Sequence, residues 1–119
     1  MTQSLYERLG GTEGIKQIAN DIVDIHLQNP AIATRFRAHD PDQLKHGAAT
    51  FFIAGTGGPD VYEGKNMVDT HKHMNISHEE FMAVCEDALK ALQMNGVGQR
   101  EQEEVLFVFF SMRDEVIGI

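Results

Sequence analysis

The chain is poor in cysteine, in basic residues and in long apolar runs, and each shortage excludes a class of protein. Its one cysteine, Cys85, rules out an internal disulfide and any metal cage built of cysteines alone, since those need pairs or quartets. A metal, if held, must be held by histidine or carboxylate. Ten Lys and Arg stand against eighteen Asp and Glu, a net charge of −8, with the acids spread along the chain. Such a surface repels phosphate backbones, so nucleic acid is not an expected partner. No apolar run approaches the roughly 20 residues that span a bilayer. The opening stretch carries Glu7 where a secretory leader would have a basic lead and an apolar core. The expectation is a soluble, cytoplasmic protein with no membrane association. No alternating strand, internal repeat or low-complexity tract is present, and 119 residues suit one core, so residues 1–119 are expected to form a single all-α domain.

Apolar residues at Ile15, Ile18, Ala19, Ile22 and Ile25 recur at spacings of three and four, which predicts a helix over Thr12–Gln28 with Thr12 as its cap. Asp40 as cap, Pro41 at the first helical position and Gln43 three residues after the cap start a second helix. Four glycines and a proline between Gly55 and Lys65 then exclude regular helix. Met67–His73 is a short helical candidate. Ser77 and Glu80 form a capping box ahead of Phe81, Val84, Cys85, Ala88 and Leu92, which share one face, and Gly96 is available for a left-handed turn at that helix's end. The last helix is predicted from Gln99 to Val116, with Val105, Phe109, Met112 and Val116 on its core face.

Three of the six histidines, His71, His73 and His78, fall between Asn66 and Phe81. On a helix His71 shares a face with Met67 and Met74, whereas His73 points about 200° away, so a His-x-His zinc site would require extended backbone. An imidazole among thioethers with no acid beside it is a poor general base and a good axial ligand for a flat apolar cofactor. On the residues alone, a hydrogen-bonded core histidine remains the alternative. Other chemistries have little support. The stretch from Gly55 to Asp60 lacks the lysine of a phosphate-cradling loop, Cys85 lies on an inward face, and Glu79-Glu80 and Glu103-Glu104 read as solvated helix faces.

Taken in order, the run SLYERLGG at Ser4–Gly11, Phe36, the stretch from Phe51 and Phe52 through Gly58, Pro59 and Tyr62 to Gly64, the pair Met67 and His71, and Gly96-Val97 resemble the group I truncated haemoglobins over almost the whole chain. The resemblance implies a two-over-two α-helical sandwich around haem b. His71 matches the proximal iron ligand, whose other N–H wants a carbonyl or a water. Phe36 matches a haem-packing aromatic, and Phe51 and Phe52 match the aromatic pair on the helix above the haem. Met67 and Met74 flank His71, and Lys72, His73 or Lys45 are positioned for the haem propionates. Matched without gaps, Val23 stands where many members have a tyrosine, and Leu44 and Ala48 stand at usually polar positions, giving with Gly47 an apolar distal pocket. His46 lies one position from where some relatives place a second histidine that binds the iron.

The resemblance therefore implies a haem protein that binds diatomic ligands, O2, NO or CO, at a penta- or hexacoordinate iron, of the oxygen-binding or carrier type. Two alternatives accompany it: a six-coordinate haem held between His71 and His46 for electron transfer or redox and gas sensing, and NO dioxygenase or peroxidase activity. The missing distal donors argue against the second. A reductase is the expected protein partner, with the chain a monomer or weak homodimer.

Overall fold

The computed structural model describes residues 3–119, all but the first two residues of the chain. Seven α-helices follow one another: α1 (Leu5–Arg8), α2 (Gly11–Gln28), α3 (Ala33–Phe36), α4 (Pro41–Gly55), α5 (Met67–His71), α6 (His78–Met94) and α7 (Gln99–Ser111), closed by a 3-10 turn at Arg113–Glu115. Two helix pairs, α2 with α4 and α6 with α7, are joined through α2 packed on α6. Among the described residues the one piece of β pairing is an isolated parallel bridge, Ile76 to Ile117. No helix among them is long and apolar enough to cross a membrane.

The stripe on α2 works as its spacing predicts: Ile15, Ile18, Ala19 and Ile22 are buried. The three isoleucines meet Phe52 and Ile53 of α4, Ala88, Ala91 and Leu92 of α6, and Val105 of α7 in the main core. Full burial of each large aliphatic side chain contributes about 1.5–3 kcal/mol. A second cluster of Ile76, Phe81, Cys85 and Val116, backed by Met74, Met82 and Phe110, fills the other end of α6.

Helix starts follow local chemistry. Ser77 and Glu80 form the reciprocal capping box of α6. Asp40 caps α4 by accepting from the Asp42 N–H at 3.4 Å, with Pro41 in the first turn and Gln43 outside the cap. Gly96 takes φ +69° just past α6, the left-handed residue that ends it.

Three expectations are corrected, and two short helices are added. Thr12 does not cap α2; the helix starts one residue earlier behind Gly10, and the Thr12 hydroxyl pairs with the Tyr6 hydroxyl at 2.5 Å. α5 ends at His71, because Lys72 turns to ψ 135° and His73 enters the left-handed region at φ +70°. α7 ends at Ser111, where the chain folds back so that Gly118 N–H reaches Ile76 O and Asn75 N–H reaches Ile119 O, both at 2.9 Å. The short helices α1 and α3 have no periodic signature. α1 is held by Tyr6 N–H on Thr56 O at 2.9 Å and by Arg8, which pairs with Glu101 at 3.0 Å and with Glu104. A side chain at Gly58 would strike the Tyr6 ring, so the loop seats α1 only as glycine.

Candidate functional site

α5 is five residues long, too short to persist alone, and its surroundings fix it. The Asn66 side chain accepts from Asp69 N–H at 2.8 Å, and the Thr70 hydroxyl donates to Asn66 O at 2.8 Å. Ahead of it the Tyr62 hydroxyl donates to Lys65 O at 2.6 Å, while the Tyr62 ring meets Phe51 of α4 edge-on at 5.4 Å. The glycine-rich loop thus runs from α4 to α5 along an aromatic anchor.

On that support His71 is half-buried with its Nδ1 2.9 Å from Met67 O. A carbonyl only accepts, so Nδ1 carries the proton and donates, and Nε2 is left with a bare lone pair. That is the tautomer an axial metal ligand requires. Met67 and Met74 are half-buried as well, but the break after His71 takes Met74 off the helix and into the second core cluster. Lys72 and His73 are exposed.

α4 divides its faces. Ala49, Phe52 and Ile53 are buried toward α2, while Leu44, Ala48 and Phe51, at spacings of four and three, are half-buried on another face with Gly47 beside them. Phe51 and Phe52 meet at 69° with centroids 6.1 Å apart, so the pair diverges: Phe52 meets Phe109 in the core at 5.5 Å, and Phe51 stays at the half-open face. Lys45 reaches back to Asp24 of α2 at 2.9 Å. His46 is exposed and lies about 140–160° around the helix from Leu44, Ala48 and Phe51, on the opposite side. Val23 is 5% exposed on α2.

Phe36 closes α3 and is half-buried, its ring stacked on His26 with centroids 5.1 Å apart and planes 15° apart. His26 is buried one turn past Ile22, and its buried partner Asp87 is what sequence reading misses. His26 Nδ1 is 2.8 Å from Asp87 Oδ2, and the Asn29 amide donates to both Asp87 oxygens at 3.1 and 3.2 Å. Burial, outweighing the hydrogen bond and charge of Asp87, lowers the His26 pKa. A signal for this exists: Asp87 is an acid on the apolar face of α6, next to Ala88 and one turn before Ala91. Beside Phe36, Arg35 grips Glu80 of α6 at 2.7 and 3.0 Å and donates to Met74 O at 2.8 Å, tying α3 to the segment after α5. The guanidinium, with the Ser77 N–H, holds the Glu80 carboxyl at about 2. Cys85 is 2% exposed, and burial and the charge of Glu86 push its thiol up to about 11, so it is a small hydrophobe rather than a nucleophile.

Among the described residues no three His, Cys, Asp or Glu converge into a metal cage. A metal on His71 would take its remaining ligands from a group that brings its own, as a porphyrin does. The half-buried apolar side chains Phe36, Leu44, Ala48, Phe51 and Met67 are hydrocarbon left for such a group to cover. An imidazole whose Nδ1 is committed to a carbonyl, and half-buried apolar side chains on α3, α4 and α5, are the groups that a flat metal-bearing cofactor would use.

The comparisons with known proteins agree. The bacterial-like globin family profile matches residues 4–117. The group 1 truncated haemoglobin of Tetrahymena pyriformis is 29% identical over 116 residues, covering 98% of this chain and 96% of that one. That of Synechocystis sp. is 32% identical over 109 residues, covering 88% of each. The crystal structure of the Tetrahymena pyriformis protein in its Fe(III) form superposes with a TM-score of 0.94, covering 98% of this chain and all of the other. The chain belongs to the bacterial-like globins and, among them, to the group 1 truncated haemoglobins. It is a haem-binding globin of two-over-two fold.

Proposed function

We propose that this globin reversibly binds diatomic gases, O2, NO or CO, with His71 as the one axial protein ligand of haem b. The observation that supports it most is the His71 ring, with Nδ1 committed to Met67 O at 2.9 Å and Nε2 bare. When bound, haem supplies an iron with one coordination position open to a diatomic ligand. The hydrogen bond to Met67 O fixes the ring's tautomer and rotation and raises the basicity of Nε2. Phe36, Phe51 and Met67 cover apolar cofactor surface and exclude water, and the exposed Lys72 and His73 are placed to meet carboxylates at a solvent edge.

The family resemblance assigns Val23, Leu44, Gly47 and Ala48 to the ligand's side of the pocket. None of these side chains carries a donor. A ligand that accumulates negative charge on its outer atom gains no hydrogen bond there, so O2 leaves quickly while CO is affected less. The same lining argues against turnover of NO or peroxide, which needs a preorganised donor where charge develops. The six-coordinate alternative gains nothing from His46, which faces solvent on the opposite side of α4. Keeping the iron ferrous calls for an electron-donating protein partner.

The test is the O2 dissociation rate of the reduced protein by stopped flow. Leu44→Gln places a donor at a half-buried position of the apolar face and should slow O2 release about tenfold, the worth of one hydrogen bond to a charged acceptor, with CO release changing far less. Equal slowing of both gases, or none, would count against an apolar distal pocket lined by Leu44.

A further inference from the structure

His26 has no part in the haem contacts above, yet it is buried in a network of polar side chains. Its ring is 6% exposed and stacks on Phe36 at 5.1 Å and 15°. Asp87, 1% exposed, receives His26 Nδ1 and both contacts from Asn29. The Asn29 side-chain oxygen accepts in turn from Ala31 N–H at 3.1 Å, which turns the Asn29 amide nitrogen toward Asp87. Three elements, the end of α2, the turn into α3 and the middle of α6, therefore converge on one carboxylate. The flat group that this carboxylate orients is the ring against which Phe36 lies.

Stability alone does not account for such a network. Burying an imidazole and a carboxylate incurs a desolvation penalty, and apolar side chains of like volume serve as well or better. What the network adds is direction. An imidazole donating to a fixed carboxylate has one ring plane, and a stacked phenyl ring inherits it. Phe36 needs an external guide, because it ends a helix of four residues that cannot hold its own shape. Arg35, the residue before it, pins the backbone to Glu80 and Met74 O, which leaves the ring plane to His26.

We propose that His26, held by Asp87 and Asn29, is a positioning residue that fixes the ring of Phe36 against the haem and thereby slows haem loss. The inference rests on the reading of Phe36 as a haem contact.

The experiment is a double-mutant cycle on the haem-loaded full chain with His26→Gln, Phe36→Ala and the two combined. It reads haem release into an excess of a haem-free globin acceptor, together with the C–O stretching band of the reduced CO form. Glutamine keeps a donor for Asp87 and removes the ring. His26→Gln should release haem about tenfold faster and broaden the C–O band, and the combined variant should release no faster than Phe36→Ala alone, within about twofold, because no ring remains to be positioned. Asn29→Ser, a milder change at the helix end, should act in the same direction by about threefold and serves if His26→Gln does not fold. Rates that multiply in the combined variant, or wild-type release in both His26→Gln and Asn29→Ser, would overturn the proposal. A wild-type chain that takes up no haem would overturn the haem reading and this inference together, and it is recognised before any variant is compared.

Discussion

Replacing His26 with leucine removes the imidazole 2.8 Å from Asp87 and leaves a carboxylate 1% exposed with Asn29 as its remaining partner. Breaking a buried pair from one side costs roughly 3–5 kcal/mol, because the charge left behind has neither water nor a counter-group. The two Asn29 contacts offset part of that, so a loss of about 3 kcal/mol is expected out of the 5–15 kcal/mol typical of a domain. Removing the charge as well, in His26→Leu with Asp87→Leu, should return stability to within about 1 kcal/mol of the original chain. The assay is urea unfolding followed by far-ultraviolet circular dichroism, on haem-loaded protein at one protein and haem concentration, since bound haem itself shifts the midpoint. The original chain also carries a pH signature. Its His26 pKa lies below the ordinary 6.5 because burial outweighs Asp87, so the unfolded chain binds a proton that the native state refuses. Stability is then full above pH 6.5 and declines as pH falls through the folded pKa, and this slope should vanish in the doubly substituted chain. The other charged groups on that side, Glu86 and Lys90, are exposed and line the cleft outside Asp87. A His26→Leu chain within about 1 kcal/mol of the original, or a double variant as unstable as the sum of the singles, would refute the reasoning.

Three further outcomes follow from the packing. Arg35→Gln removes the largest cause of the lowered Glu80 pKa and lets it rise from about 2 toward its ordinary 4.5, with the Ser77 N–H still holding it down in part. Because a depressed carboxyl stabilises the native state above 4.5 and loses that contribution as pH falls, the acid-unfolding midpoint of the variant should move to higher pH in a circular-dichroism titration. Leu92→Ala, at a side chain 1% exposed in the main core, should lower stability by about 2–5 kcal/mol, whereas Phe107→Ser, at a ring 75% exposed, should change it by no more than about 0.5 kcal/mol in the same urea assay. Cys85 should resist a thiol-reactive chromogenic disulfide in the native protein and react at once in denaturant, since the thiol is buried and held at about 11.

What the sequence made legible follows the range of the interactions involved. The starts of α4 and α6 rest on caps that act within three residues, and the buried faces of α2 and α6 rest on a period that repeats several times, so both are legible in the residues alone. The ends were harder. Val116 is buried as its place in the pattern requires, yet it reaches the core from a 3-10 turn, because Ile76 and Asn75 draw the terminus across by backbone bonds that leave no trace in local spacing. α1 and α3 are held by partners such as Thr56, Glu101 and Glu80, far along the chain. At the site, His71 was legible as a histidine among methionines, and the helix geometry then supplied its bond to Met67 four residues back. The place of His26, one turn past Ile22 on α2, is equally local. Its partner lies 61 positions away, and only the packing of α2 on α6 brings Asp87 to it. For Lys45 and His46, neighbours on one helix, burial and pairing decide what spacing left open: one is tied to Asp24 and the other is turned to solvent.

The most direct test of the proposal that His71 is the one protein ligand of the haem iron is the absorption spectrum of haem-loaded protein reduced with dithionite, taken for the original chain and for His71→Ala with and without added imidazole. The account predicts a five-coordinate, high-spin ferrous spectrum that is lost in His71→Ala and restored by imidazole filling the vacated place. A six-coordinate, low-spin spectrum in the original chain, or one unchanged by His71→Ala, would contradict it.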